Sequence, residues 1–381
     1  MRAIYDETHD LFRESFRSWV DAELAPRLDE FEEAGITDRS IYADAGSHGF
    51  LGLAIPEEYG GGGTDDFRFN AIISEELAAV GAGGAGLGIG LHNDITTPYF
   101  VEYCNDEQSA RWLPGIASGE LVTAIAMTEP GTGSDLAGIS ATAMRDGDEY
   151  LLNGAKTFIT NGINSDLVIV VCRTDPDAGR EGLSLLVVER GMDGFERGRN
   201  LDKIGQHSAD TAELFFSDVR VPVANVLGEE GRALEYLGFN LAQERLSIAV
   251  YGLAAARAAL DWTVDYVKER TAFGQPIAAF QNTKVVLAEV ATEVDVTTSF
   301  MNDCLMSHVA GELSPAGAAM AKMWASELQN RTVDRCLQLF GGYGYMSEYP
   351  IARAYVDARV TTIYGGTSEI MKTIISKDVL S

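Results

Sequence analysis

The sequence predicts an α+β fold built from three consecutive parts, helical, then β, then helical. Residues 1–120 carry apolar side chains at helical spacing, residues 121–227 alternate short β-branched runs with Gly and Asp, and residues 228–381 return to long helical patterns. No internal repeat and no low-complexity tail interrupts this order.

In the first part, the stretch beginning Leu11-Phe-Arg-Glu-Ser-Phe has the spacing of an amphipathic helix, and Asn70-Ala-Ile-Ile-Ser-Glu-Glu-Leu repeats it. Between them, Tyr59-Gly-Gly-Gly-Gly-Thr is turn-rich. Ala82 to Gly90 is so rich in glycine that it predicts either close helix packing or a cavity wall. In the second part, Tyr150-Leu-Leu-Asn-Gly, Leu167-Val-Ile-Val-Val, Leu183-Ser-Leu-Leu-Val-Val and Glu213-Leu-Phe-Phe are the strand candidates. In the third, helices are expected over 232–270, 281–310 and 315–339.

Length and charge bound the function. A chain of 381 residues can bury a large core. Its 57 acidic against 29 basic residues give a formal charge of −28, which opposes binding to nucleic acid or to an anionic membrane. Of the basic residues 22 are Arg and 7 are Lys. A Lys-poor acidic surface suits a cytoplasm of molar salt, where screening removes self-repulsion, so a halophilic source is expected; an ordinary acidic enzyme is the alternative. Cys104, Cys172, Cys304 and Cys336 lie far apart, which predicts neither a metal site nor a disulfide framework. The polar, acidic N-terminus and the lack of an apolar run of about 18 to 20 residues make a cytoplasmic protein without membrane insertion the expectation.

Steps of three and four put Leu237, Leu241, Glu244, Ile248 and Tyr251 on one helix face. A carboxylate among apolar neighbours is either tied to an arginine or poised as a general base, because burial raises its pKa. Five further stretches carry weaker signals. Met127-Thr-Glu-Pro-Gly-Thr-Gly-Ser-Asp135 is a glycine-rich turn able to cradle a phosphate or a polar ring edge, though it matches neither the Walker pattern nor GxGxxG. Lys156-Thr-Phe-Ile-Thr160 puts Phe158 and Thr160 on the same side of a strand. Arg270-Thr-Ala-Phe-Gly ends a long helix with a permanent cation suited to a pyrophosphate. Gln338-Leu-Phe-Gly-Gly reads as a helix C-cap. Tyr364-Gly-Gly-Thr-Ser-Glu-Ile370 leads into a helix with Thr367 or Ser368 as N-cap.

In this order the five stretches resemble the acyl-CoA dehydrogenase family, over essentially the whole chain, with the C-terminal third most similar to the long-chain branch. The resemblance implies an N-terminal helical domain, a central β-barrel-like domain and a C-terminal four-helix bundle. It implies FAD as cofactor, no metal, and α,β-desaturation of a fatty acyl-CoA in β-oxidation. Ile125, Met127, Thr128, Gly133, Ser134, Phe158 and Thr160 hold the flavin in such an arrangement, and Ser134 also contacts the CoA moiety. Gln338, Gly341, Gly342, Thr367 and Glu369 line the adenine and phosphate end. Arg270, Phe273 and Gln281 reach it from a neighbouring subunit of a homotetramer.

In the best-known members the base follows the tyrosine of the C-terminal motif, where this chain has Gly365. The long-chain and isovaleryl branches carry it instead in a Glu-Arg pair resembling Glu244-Arg245, which makes Glu244 the expected base. Arg245, Tyr364, Gly365 and Gly366 are then expected at the substrate, the Gly365 N–H holding the thioester carbonyl. An electron-transfer flavoprotein is the expected electron acceptor. The rivals are a flavin acyl-CoA oxidase using O₂ and a non-catalytic helical interaction protein of the same fold.

Overall fold

The computed structural model describes residues 4–381. Seven helices come first: α1 (Glu7–Trp19), α2 (Leu28–Ala34), α3 (Ser40–Ser47), α4 (Arg68–Ala79), α5 (Gly83–Gly90), α6 (Thr97–Tyr103) and α7 (Asp106–Ser118). Local chemistry sets their ends. The Asp6 carboxylate accepts from the backbone N–H groups of Thr8 and His9 at the start of α1, and Asn105 with Gln108 forms a reciprocal capping box at the start of α7. Gly119, at φ 73°, closes α7 in the left-handed conformation that glycine adopts without penalty. Between α5 and α6 the chain widens into a π-helical turn, Leu91–Thr96, in which the Thr97 N–H reaches back five residues to the His92 carbonyl.

Seven strands follow: β1 (Thr123–Ala126), β2 (Thr142–Asp146), β3 (Glu149–Thr160), β4 (Leu167–Arg173), β5 (Leu183–Glu189), β6 (Phe195–Asn200) and β7 (Thr211–Pro222). They form one sheet in the order β1-β4-β2-β3-β7-β6, with β5 on the remaining edge of β4. The barrel-like expectation takes the form of a curled sheet whose two halves meet at the single pair Thr142 and Arg173. The continuous apolar runs of β4 and β5 have a physical cause. Leu167, Ile169, Val171, Leu185 and Val187 face Tyr99, Trp112 and Leu237 on the helical side, while Val168, Val170, Cys172, Leu186 and Val188 face the other strands.

The C-terminal part is helical: α8 (Ala233–Glu269), α9 (Gln281–Val309), α10 (Pro315–Phe340), α11 (Pro350–Ala358) and α12 (Ser368–Val379). The small hairpin β8 (Thr271–Ala272) and β9 (Gln275–Pro276) joins α8 to α9. Helices α8, α9 and α10 share a core of Leu253, Val290, Val294, Met301, Leu328 and Val333. Helix α8 runs through the molecule: its first turns pack on the β4/β5 side, and its middle meets α4 and the π-helical turn. No helix among the described residues is long and apolar enough to cross a membrane.

Candidate functional site

Glu244 lies in the middle of α8 at 4% exposure, with Leu237 and Ile248 buried on the same face. It forms no ion pair among the described residues. Its Oε1 accepts a hydrogen bond of 2.9 Å from the hydroxyl of Tyr99, a fully buried residue of α6. Burial pushes the Glu244 carboxyl up from 4.5 to about 7, held back by the Tyr99 hydrogen bond and by the charge of Arg245. A carboxylate near 7 is half ionised at neutral pH and can take a proton there.

One turn along α8, Ile248 packs against the Tyr364–Thr367 turn. A Cβ at Gly365 would stand 2.3 Å from Ile248 Cδ1, and Gly365 has φ 61°, so glycine is required here on both counts. The turn is held from α10 by Lys322, fully buried, whose Nζ donates to the Gly366 carbonyl at 2.6 Å. Burial and the neighbouring Arg245 lower the Lys322 ammonium to about 8. Arg245 is itself buried and its Nε finds no hydrogen-bond partner, an arrangement that fits an anionic or carbonyl-bearing ligand entering beside it. Thr367 caps α12 through its hydroxyl, which accepts from the Ile370 N–H at 3.3 Å.

On the other side of Glu244, Asp94 of the π-helical turn braces α8. Its Oδ2 accepts from Ser247 Oγ at 2.5 Å, its backbone carbonyl from Gln243 Nε2 at 2.8 Å, and its Oδ1 from Asn70 Nδ2 at 2.7 Å. Burial raises the Asp94 carboxyl to about 6.

A second group forms where β1 meets β3. The pairing of β3 with β7 slips by one residue between Lys156 and Ile159, a bulge that puts both Lys156 and Thr157 inside. The bulge leaves Phe158 at φ 60° with its ring 67% exposed, Ile159 buried and Thr160 half-buried. The turn after β1 is pinned to this bulge: Lys156 Nζ donates to the Met127 carbonyl at 3.0 Å and to Glu129 Oε1 at 2.9 Å, and the Thr157 N–H to the Thr128 carbonyl at 3.0 Å. Glu129 also accepts from Ser140 and from the Ala141 N–H, so the buried ion pair has its remaining valences met. Ile125 is buried in β1, whereas Gly133 and Ser134 are exposed and a Cβ at Gly133 would meet only Thr128 Cγ2 at 3.9 Å. An open glycine-rich turn beside an exposed aromatic ring fits a flat, polar-edged ligand.

A third group gathers around the β8/β9 hairpin. Arg270 caps α8 and its guanidinium lies 5.2 Å from the centre of the Tyr343 ring. Phe273, at φ 52°, is 96% exposed, and Gln281 opens α9. Gly341, at φ 60°, ends α10, leaving Gln338, Gly341 and Gly342 exposed next to Tyr343. Glu369 is exposed in the first turn of α12. The predicted residues thus gather through intermediaries: Gly365 meets Ile248, one turn from Glu244, Gly366 is held by Lys322, Met127 and Thr128 are pinned to Lys156 and Thr157 just before Phe158, and Arg270 lies over the Tyr343 ring next to Gly341 and Gly342. Tyr99, Lys322 and the Lys156–Glu129 pair were not anticipated, because each acts through a partner distant in sequence; His92 and Asp94 read from the sequence as polar supporting contacts rather than metal ligands, and Asp94 does support α8. No cluster among the described residues has the ligands for a metal ion.

Comparison with known proteins places this geometry in a family. Models described as the N-terminal, middle and C-terminal domains of acyl-CoA dehydrogenase match residues 6–120, 124–219 and 234–380. The mitochondrial long-chain specific acyl-CoA dehydrogenase of Sus scrofa is 48% identical over 382 aligned residues, covering 100% of this chain and 88% of the relative. A crystal structure of an acyl-CoA dehydrogenase from Geobacillus kaustophilus superposes with a TM-score of 0.97 at 49% identity, covering 100% of both chains. An acyl-CoA dehydrogenase of Bacillus anthracis, solved in complex with FAD, superposes with a TM-score of 0.92 at 30% identity, covering 99% of this chain and 67% of that one.

Proposed function

Because the chain belongs to the acyl-CoA dehydrogenase family, whose members are FAD-dependent oxidoreductases, we propose that it desaturates a long-chain fatty acyl-CoA thioester to the trans-2-enoyl-CoA, with Glu244 as the base. The observation that carries the reading is Glu244 itself, buried, without an ion pair among the described residues, raised toward neutrality, and one helical turn from the Ile248 that packs on a glycine turn without a carboxylate of its own.

The chain's residues divide the work. Glu244 removes the α-proton, with one oxygen occupied by Tyr99 and the other left for substrate. An α-proton of a thioester is too weakly acidic for a carboxylate unless the developing enolate is stabilised; the Gly365 N–H, in a turn fixed by Lys322, donates to the carbonyl oxygen as that charge forms. Such a donor contributes roughly 3 to 4 kcal/mol to the transition state. Arg245 faces the CoA side. Bound FAD supplies the acceptor for the β-hydrogen and both electrons. Phe158 would pack against the flavin, Thr128, Thr160 and the backbone at Ile125 and Met127 would hold its polar edge, and Ser134 would contact CoA. Gln338, Gly341, Gly342, Thr367 and Glu369 would line its adenine and phosphate end. Phe273, nearly fully exposed, supports an assembly in which Arg270, Phe273 and Gln281 complete the site of a neighbouring subunit in a homotetramer. An electron-transfer flavoprotein takes the electrons.

Long acyl chains are favoured by the similarity to the long-chain enzymes, whereas α5 shows mainly close helix packing. Gly84 and Gly88 pack tightly against Ser208 and Tyr42, but a Cβ at Gly90 would meet nothing nearer than Asp94 Oδ2 at 3.9 Å. Anaerobic titration of the yellow holoenzyme with acyl-CoA esters from short to long tests the proposal. Flavin bleaching that strengthens toward long chains is expected; a protein that binds no flavin, or whose flavin no acyl-CoA bleaches, contradicts it.

A further inference from the structure

The hydrogen bond from Tyr99 to Glu244 spans 145 residues of sequence and is made between two side chains that are both buried. Its geometry is prepared by the π-helical turn. In a regular α-helix, residues five apart point in different directions; the widened Leu91–Thr96 turn, with its five-residue hydrogen bond from Thr97 to His92, brings positions five apart toward one side. Asp94 and Tyr99 are five apart, and both meet α8, Asp94 at Gln243 and Ser247 and Tyr99 at Glu244. The carboxylate and the helix segment carrying it are thus gripped at two points, by Asp94 of the π-helical turn and by Tyr99 of α6, which follows it directly.

We propose that Tyr99 is a positioning residue for Glu244: its hydroxyl commits Oε1, turns the other carboxylate oxygen toward the substrate, and sets the pH at which the base becomes active. This rests on the reading of Glu244 as base. The groups acting on Glu244 are Tyr99 from α6 and Arg245 from its own helix, with Tyr103 acting on Tyr99 and Arg245 acting in turn on Lys322 of α10. Burial and the adjacent Glu244 hold the Tyr99 phenol well above its ordinary value, so it remains a donor wherever the enzyme works. A hydrogen bond to the charged form favours that form, so removing the hydroxyl makes Glu244 ionise only at higher pH.

The test is the pH profile of stopped-flow flavin reduction by acyl-CoA in the holoenzyme, for wild type, Tyr99→Phe and Glu244→Gln. Tyr99→Phe is expected to keep FAD content and acyl-CoA affinity, to lose roughly tenfold in rate at neutral pH, and to move the rising limb upward by about one to two pH units, the size of one hydrogen bond to a charged acceptor. Replacing Tyr99 with 3-fluorotyrosine, a more acidic phenol and stronger donor, moves the limb downward; this measurement decides the matter if Tyr99→Phe does not fold. A limb unmoved in either protein, with Glu244→Gln inactive, overturns the role of Tyr99 alone. A Glu244→Gln enzyme that reduces its flavin at the wild-type rate overturns the base assignment and this inference with it.

Discussion

Replacing Glu244 with Gln should stabilise the folded protein, and increasingly so as pH rises. The Glu244 carboxyl is raised from 4.5 to about 7 by burial. A group whose folded pKa is raised contributes its stability fully below the unfolded value and loses it as pH climbs through the folded one. Wild type therefore bears a growing penalty as Glu244 is forced to ionise inside the fold. The difference of about 2.5 pKa units corresponds to about 3 kcal/mol, nearly all of it developed by the time pH passes 7. Glutamine keeps the shape and an acceptor for Tyr99 but never ionises. Asp94 and Asp357, whose carboxyls burial raises to about 6 and about 7, are present in both proteins and cancel in the difference. Denaturant unfolding of the two holoproteins at fixed FAD, at steps from about pH 4.5 to about pH 8.5, should show nearly equal midpoints at the acid end and a clear advantage for Glu244→Gln at the alkaline end. A difference that is the same at every pH would refute the premise that Glu244 is held in a desolvated, ionisable state.

Gly365→Ala should slow flavin reduction and destabilise the turn by about 1 to 3 kcal/mol, because the backbone sits at φ 61° and the new Cβ meets Ile248 Cδ1. Adding Ile248→Val removes that methyl and should recover part of the loss; a double mutant no better than Gly365→Ala, by stopped-flow rate, points to backbone strain alone. Lys156→Met should leave Glu129 buried without its cation, costing about 3 to 5 kcal/mol and releasing the 127–135 turn, read as FAD lost on dialysis. Pairing it with Glu129→Gln should restore much of the retention, and full FAD occupancy in Lys156→Met would show that the pair does not support the turn.

The helices and strands were legible because each has one dominant environment. The α8 pattern of Leu237, Leu241, Glu244 and Ile248 shows a carboxylate on an apolar face, and the structure buries Glu244 there. The runs in β4 and β5 read as strands because both faces are covered. What stayed hidden was tertiary. Tyr99 sits in a helix with no motif around it, and only the packing of α6 on α8 gives its hydroxyl a partner. Lys156 keeps the inward parity of Tyr150 and Leu152, but only the folding of the turn after β1 onto the sheet gives its ammonium the Glu129 carboxylate as partner, and the bulge that follows adds Thr157 to the inside. Residue spacing assumes regular geometry, so a π-helical turn and a β-bulge, the two irregularities that shape this site, are where it fails.

Glu244, as the group that takes the proton, is open to one decisive measurement. Single-turnover flavin reduction by a saturating long-chain acyl-CoA under anaerobic conditions, in wild type and in a Glu244→Gln holoenzyme of equal FAD content, tests it most directly. A yellow, folded, substrate-binding variant is expected, its flavin reduced several powers of ten more slowly. Reduction within a few-fold of wild type would contradict it.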